Sequence, residues 1–226
     1  LGIYREGKST QVSLTQVISR NSIDNPIFPT SGSSVSFSVQ MSGGPLLPGN
    51  LNFHKWLFSS EWYLPLFGSQ KLALYLSSTY GYIGSFSGDD YVQPVDLFFM
   101  GGTGLGYIST TPLRGYDDQS VGPRNSNTDI VGGKAMAKQT LEMRYAVSIN
   151  PIPIYLVSFL EGGNVYESLA RADFFDLKRS AGVGARITIN PIGMIGFDYG
   201  YGFDDVNPRD GKPDGWKFHF VFGRGF

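Results

Sequence analysis

Apolar and polar residues alternate with a period of two through most of this chain, between clusters of Gly, Pro, Asn and Asp. Such alternation is the pattern of half-buried β-strands. Nine stretches carry it, at about 10–22, 33–43, 53–67, 71–86, 133–149, 154–167, 180–192, 194–205 and 215–226. In FHKWLFSSEWYLPLF, His54, Trp56, Phe58, Trp62 and Leu64 share one face, and Lys55, Ser59 and Glu61 share the other. In KLALYLSSTYGYIG, Leu72, Leu74, Leu76, Tyr80 and Tyr82 oppose Ala73, Ser77, Thr79 and Gly81. In KAMAKQTLEMRYAVSI, Leu141, Met143, Tyr145 and Val147 oppose Lys138, Thr140, Glu142 and Arg144. In IGFDYGYGFDD, Ile195, Phe197, Tyr199, Tyr201 and Phe203 oppose Gly196, Asp198, Gly200, Gly202 and Asp204.

Several of these stretches exceed ten residues, longer than the strands usual in globular proteins and suited to tilted strands crossing a bilayer. A soluble sandwich would also alternate, but its outer face would be charged. Here the polar faces are rich in Gly, Ser and Thr, and aromatic residues collect toward strand ends, as in the girdles of membrane barrels. The pattern therefore predicts an all-β, antiparallel transmembrane β-barrel fold. Trp56, Phe58, Leu74, Leu141, Phe197 and Phe220 are expected toward lipid, with Lys55, Glu142, Glu161 and Asp198 inward. The connections alternate in length as well. NPIP at 150–153 and NPIG at 190–193 are tight, whereas the link over about 87–132 is far longer than ordinary loops.

Composition narrows the classes. Of 226 residues only 16% are charged, 15% are aromatic, and 30 Gly with 13 Pro imply many turns. The mean hydropathy near zero is what a lipid face and a polar interior average to along each strand. A formal net charge of −1 gives no reason to expect nucleic acid as a partner. With no Cys, disulfides and thiolate metal sites are excluded. No apolar run is long enough for a transmembrane helix. The start, LGIYREGKST, lacks the apolar stretch of a signal peptide, which suggests a mature chain or a fragment. Catalysis finds no support: of the only two His, His54 lies beside Trp56 on a lipid-type face, and His219 lies on the terminal strand without a recognisable constellation. No enzyme activity, metal or cofactor is expected.

The long link contains TTPLRGYDDQSVGPRNS, with one Arg set between Leu113 and Gly115-Tyr116. Together with its surroundings it resembles the C-terminal part of a BamA-type outer-membrane assembly barrel. LRGYDDQSVGP, from Leu113 to Pro123, is similar to that family's RGF/RGY loop with its trailing GP. VGGKAMAKQTLEMRY is similar to the glycine-opened strand with an embedded Glu, here Glu142. FLEGGNVY resembles the aromatic-x-acid-x-Gly strand, with Phe159 and Glu161 at the matching positions, although the family usually has Asp where Glu161 stands. SAGVGARITINPIGMIGFDYG resembles the penultimate hairpin and FPTSG an early turn, and WKFHFVFGRGF ends on a terminal aromatic, Phe226.

The resemblance implies one barrel portion over residues 1–226, the C-terminal part of a sixteen-stranded barrel, without the N-terminal strands and the periplasmic POTRA domains. It implies a bacterial outer-membrane protein that helps fold and insert β-barrel proteins through a lateral seam. A two-partner secretion exporter or a passive pore is the alternative. The loop would enter the lumen, with Leu113, Arg114, Gly115 and Tyr116 braced against Glu142, Phe159, Glu161 and Asp198. Guanidinium suits that role, being always charged and able to grip carboxylates bidentately. A wet lumen would screen the pairing. Phe218, Phe220, Phe222, Gly223, Gly225 and Phe226 would form the terminal β-signal and one lip of the seam. Implied partners are the outer-membrane bilayer, nascent β-barrel proteins and accessory assembly lipoproteins. The terminal edge would be exposed, pair with a second copy, or close onto the chain's own first strand.

Overall fold

The computed structural model describes residues 9–44, 46–86, 91–104, 110–189, 191, 193–207 and 211–223. Eleven strands follow in order: β1 (Ser13–Asn21), β2 (Gly32–Ser42), β3 (Phe53–Pro65), β4 (Leu72–Ser85), β5 (Phe99–Met100), β6 (Thr110–Thr111), β7 (Ala135–Ser148), β8 (Ile154–Tyr166), β9 (Lys178–Ile189), β10 (Gly193–Gly202) and β11 (Gly215–Gly223). One turn of 3-10 helix, Leu169–Arg171, is the only helix among the described residues. Among the described residues no helix is long and apolar enough to cross a membrane.

Nine strands form a single antiparallel sheet in the order β1-β2-β3-β4-β7-β8-β9-β10-β11, a meander interrupted only between β4 and β7, where β5 and β6 leave the sheet. The nine predicted stretches coincide with these strands. The ladder from Leu72↔Tyr145 to Tyr82↔Ala135 joins β4 to β7, so the long connection leaves and returns beside itself. That connection holds what the periodicity did not reveal: β5 and β6 pair in parallel as a separate two-stranded sheet.

The strand faces follow the period of two. On β7, Met136, Lys138, Thr140, Glu142, Arg144 and Ala146 are buried, while Met143, Tyr145 and Val147 are exposed. On β8, Tyr155, Val157, Phe159 and Glu161 are buried, while Leu156 and Leu160 are exposed. On β10 and β11, Phe197, Tyr199, Phe218, Phe220 and Phe222 are exposed, while Asp198, His219 and Val221 are buried. A continuous aromatic and aliphatic surface of this kind suits lipid and would be an aggregation hazard in water.

The core lies on the concave side, between wall and loop. Phe98, Met100, Leu113, Tyr116 and Val121 of the connection pack with Phe53, Ile83, Met136 and Val165 of the wall. A second cluster brings Phe28, from the FPTSG turn, against Ala146, Tyr155, Val157, Met194 and Val221. The rings of Phe28 and Tyr155 lie 5.3 Å apart. That turn thus reaches from the first hairpin to the far strands. No ladder joins β1 to β11 among the described residues. Gly225 and Phe226 lie outside the described residues.

Candidate functional site

Backbone pairing first fixes the path of the loop. Val121 N–H donates to Met100 O (3.1 Å), Leu113 N–H to Gly102 O (3.1 Å), and Gly102 N–H to Tyr116 O (3.1 Å). Between them Leu113, Arg114 and Tyr116 are pressed into the wall, each with no exposed surface. Gly115 makes this approach possible. Its φ of 88° is one that L side chains seldom adopt, and a Cβ there would lie 2.9 Å from Gly202 N and 3.0 Å from the Ser180 side chain. The wall answers in kind: a Cβ on Gly202 would meet Gly115 O at 2.6 Å. The alternating glycines of YGYG leave the space that the loop occupies.

Arg114 is then surrounded. Its Nη2 donates to Glu142 Oε1 at 2.6 Å and to Glu161 Oε1 at 2.7 Å, and Nη1 lies 3.7 Å from Asp198 Oδ1. Its own backbone N–H donates to Glu161 Oε2 at 2.8 Å. One carboxylate therefore grips both the side chain and the main chain of the same residue. The guanidinium carbon sits 3.7 Å from the centre of the Phe159 ring, a stacked cation–π contact. Burial disfavours the charge on Arg114, but Glu161 and then Glu142 outweigh it and hold the guanidinium above its ordinary pKa.

The acids have further partners. Lys138 Nζ lies 3.1 Å from Glu161 Oε1, and Thr140 donates to the same oxygen at 3.2 Å. Arg144 Nε donates to Glu142 Oε2 at 2.7 Å and stacks on Tyr75, its guanidinium carbon 3.9 Å from the ring centre. Asp198 is gripped bidentately by Arg186 at 2.9 and 2.8 Å. Four cations (Arg114, Lys138, Arg144, Arg186) thus interleave with three carboxylates (Glu142, Glu161, Asp198), all buried. The expectation of a wet, screened pairing is overturned. The Arg114, Glu161 and Asp198 side chains are 0% exposed because loop and wall pack apolar groups around them. Removing one partner of such a buried pair costs on the order of 3–5 kcal/mol, since the other charge is stranded.

The tetrapeptide also reaches the last strands. Gly115 N–H donates to His219 Nε2 at 2.8 Å, and Tyr116 Oη donates to Arg179 O at 2.6 Å. Burial raises the pKa of Tyr116, so it remains a hydroxyl donor. Lys217 pairs with Asp117 at 2.7 Å. The structure therefore brings Leu113, Arg114, Gly115, Tyr116, Glu142, Phe159, Glu161 and Asp198 into one cluster. Phe218, Phe220 and Phe222 point away from it toward the outer face, and Gly223 ends β11 with a φ of 106°. Sequence reasoning passed over Lys138, Arg144, Arg186 and His219 as site members. Parity alone marks His219 as inward, two residues from Lys217 and between the outward Phe218 and Phe220. Among the described residues no group of His, Asp and Glu is arranged to hold a metal ion.

Comparison with known proteins bears on this geometry. The sequence pattern of the Omp85 superfamily domain matches residues 4–226. The outer membrane protein assembly factor BamA of Nitratidesulfovibrio vulgaris is 28% identical over 224 residues, covering 98% of this chain and 26% of that protein. A SAM50-like protein of Schizosaccharomyces pombe is 30% identical over 129 residues, covering 57% of this chain and 25% of that protein. The chain thus spans about a quarter of the length of the curated relatives it matches. Among solved structures, BamA from Haemophilus ducreyi lacking POTRA domains 1–3 matches with a TM-score of 0.73 at 21% identity, covering 92% of this chain and 41% of that one. At that identity the likeness is one of fold.

Proposed function

The chain belongs to the Omp85 superfamily and forms part of an outer-membrane β-barrel, and from that premise we propose that it serves a factor that folds and inserts other β-barrel proteins into the outer membrane. The observation that carries this reading is the seating of Leu113–Tyr116 on the wall by Arg114, Glu161 and Glu142. A loop anchored this way occupies the concave side and stiffens the strands it touches. Its contacts extend to β11, which under this reading is one lip of a seam. A strand edge with unpaired N–H and C=O groups is a template for an incoming strand. Unpaired groups in hydrocarbon cost several kcal/mol each, which drives such an edge to accept a partner. The Arg114 cluster would keep the lip in register while strands add.

The partners under this reading are the bilayer, nascent β-barrel proteins and, through domains that precede the barrel in relatives, accessory lipoproteins. The chemistry is one of binding and templating rather than catalysis. Depletion of the full-length protein tests it. Levels of many unrelated outer-membrane β-barrel proteins should fall together. Loss of one secreted substrate alone, with ion conductance through the purified protein, would point instead to an exporter.

A further inference from the structure

One buried titratable group takes no part in the ion cluster yet touches its loop. His219 lies on the inner face of β11, buried, with Nε2 accepting from Gly115 N–H at 2.8 Å. Among the described residues β11 forms one ladder, with β10, and its other edge has none. Whatever else holds the strand must come from its inner face. Val221 packs there within the apolar cluster around Phe28, and two polar contacts join the strand to the long connection. The Lys217–Asp117 pair is largely exposed on the Asp side, where solvent weakens it. The Gly115–His219 bond is enclosed, and the same residue's neighbour, Arg114, is the anchor of the loop.

We infer that His219 is the positioning residue through which the anchored loop holds the terminal strand, and that adding a second proton to its imidazole releases the hold. The chemistry is specific to this geometry. An imidazole accepts at Nε2 only when that nitrogen carries no proton. Once protonated, Nε2–H faces the Gly115 N–H, donor against donor, and the bond is lost. Charged groups face His219 from several elements. Asp198 stands opposite it on β10, Asp118 and Arg114 approach from the loop, and Glu161 from β8. Lys217 shares its face on β11. Arg114, next to Gly115 in the loop, repels an imidazolium at this position. His219 thus makes the grip on β11 depend on the protonation of its imidazole. The latch itself follows from contacts alone; its effect on a seam rests on the proposed assembly function.

The test uses the full-length protein in lipid nanodiscs, with deuterium uptake of the peptide spanning 215–223 and the amide shift of labelled Gly115 as readouts. Between about pH 8 and about pH 5, after correction for intrinsic exchange, wild-type uptake should rise by about fivefold, the weight of one ordinary hydrogen bond. The Gly115 amide should shift over the same range. His219→Gln retains an acceptor and does not titrate, so it should remain protected at both pH values. His219→Leu should be unprotected at both. A wild type insensitive to pH, or a His219→Gln variant with the wild-type pH response, would overturn the inference. Should His219→Leu fail to fold, the comparison of wild type with His219→Gln still decides. A parallel arm follows insertion of a test β-barrel protein into proteoliposomes. If the latch responds as expected while insertion does not change with it, the latch stands and the seam's part in the proposed function fails.

Discussion

The first hairpin and the last five strands obey the same alternation but do different things with their inner faces. On β2 the inward positions are Ser34, Ser36, Ser38, Gln40 and Ser42, facing a lumen with no charge of their own. β1 is exposed along all nine residues. On β7 to β11 the inward positions are Lys138, Glu142, Arg144, Glu161, Arg186, Asp198 and His219, all buried under the loop. A period of two sorts residues between two faces, but it says nothing about what fills the space beyond the inner face. Where a loop fills it, charges become dry and mutually dependent. Where it does not, small hydroxyl residues suffice.

That contrast predicts a steep gradient of mutational sensitivity. The largest effect is expected from Arg114→Glu, which sets a fourth carboxylate among Glu142, Glu161 and Asp198. The variant should retain β-sheet circular dichroism but lose the proposed assembly activity, and trypsin should cut its loop readily. Arg114→Ala should cost about 3–5 kcal/mol of loop anchoring, as for a broken buried pair. Adding Glu161→Arg to Arg114→Glu should restore part of the loss, with a coupling energy of about 0.5–3 kcal/mol in a double-mutant cycle. Rescue stays partial because Glu161 also serves Lys138 and Thr140. If Arg114→Glu is harmless, the two regions do not differ in the way their geometry states.

Gly202→Ala comes next. The added methyl would sit 2.6 Å from Gly115 O and 2.9 Å from the Tyr116 ring, against backbone that cannot yield without moving the loop. Overpacking of this kind costs about 1–3 kcal/mol, to be read from thermal unfolding followed by gel mobility. In the bare hairpin, Ser36→Ala and Ser38→Ala should each change stability by no more than about 0.5 kcal/mol in the same assay. A larger change there would mean that the inner face of β2 has a partner after all.

The smallest effect is a pH response at the end of the strands that carries the long connections. Asp204 accepts from the Arg179 backbone N–H at 2.6 Å and from its guanidinium at 2.8 Å. Burial raises the pKa of Asp204, but these hydrogen bonds outweigh it and the net shift is downward from 3.8. A depressed folded value means the contribution is complete above the unfolded value and disappears as pH falls through the folded one. Deuterium exchange at Phe203, whose N–H donates to Arg179 O, should therefore quicken only below about pH 4, and Asp204→Asn should remove that step.

Much of this was legible in the linear sequence because its cause is local. Alternation over 9 to 14 residues defines a strand and its faces wherever the strand ends up. Leu156 and Leu160 toward lipid with Phe159 and Glu161 inward, or Phe197 outward beside Asp198, need no knowledge of neighbours. Gly and Pro mark the turns for equally local reasons. The tertiary structure alone decided which charges meet. Arg114 reaches partners 28 and 47 residues away, and Gly115 bonds to a His 104 residues on. Those meetings depend on the register of ladders that set Thr140 opposite Glu161 and Asp198 opposite His219. They depend equally on glycines whose missing side chains admit the loop. The dryness of the cluster is of the same kind: Arg114, an ordinary loop residue in sequence, is enclosed only because strands far along the chain curve around it, and enclosure is a property of packing that no single segment possesses.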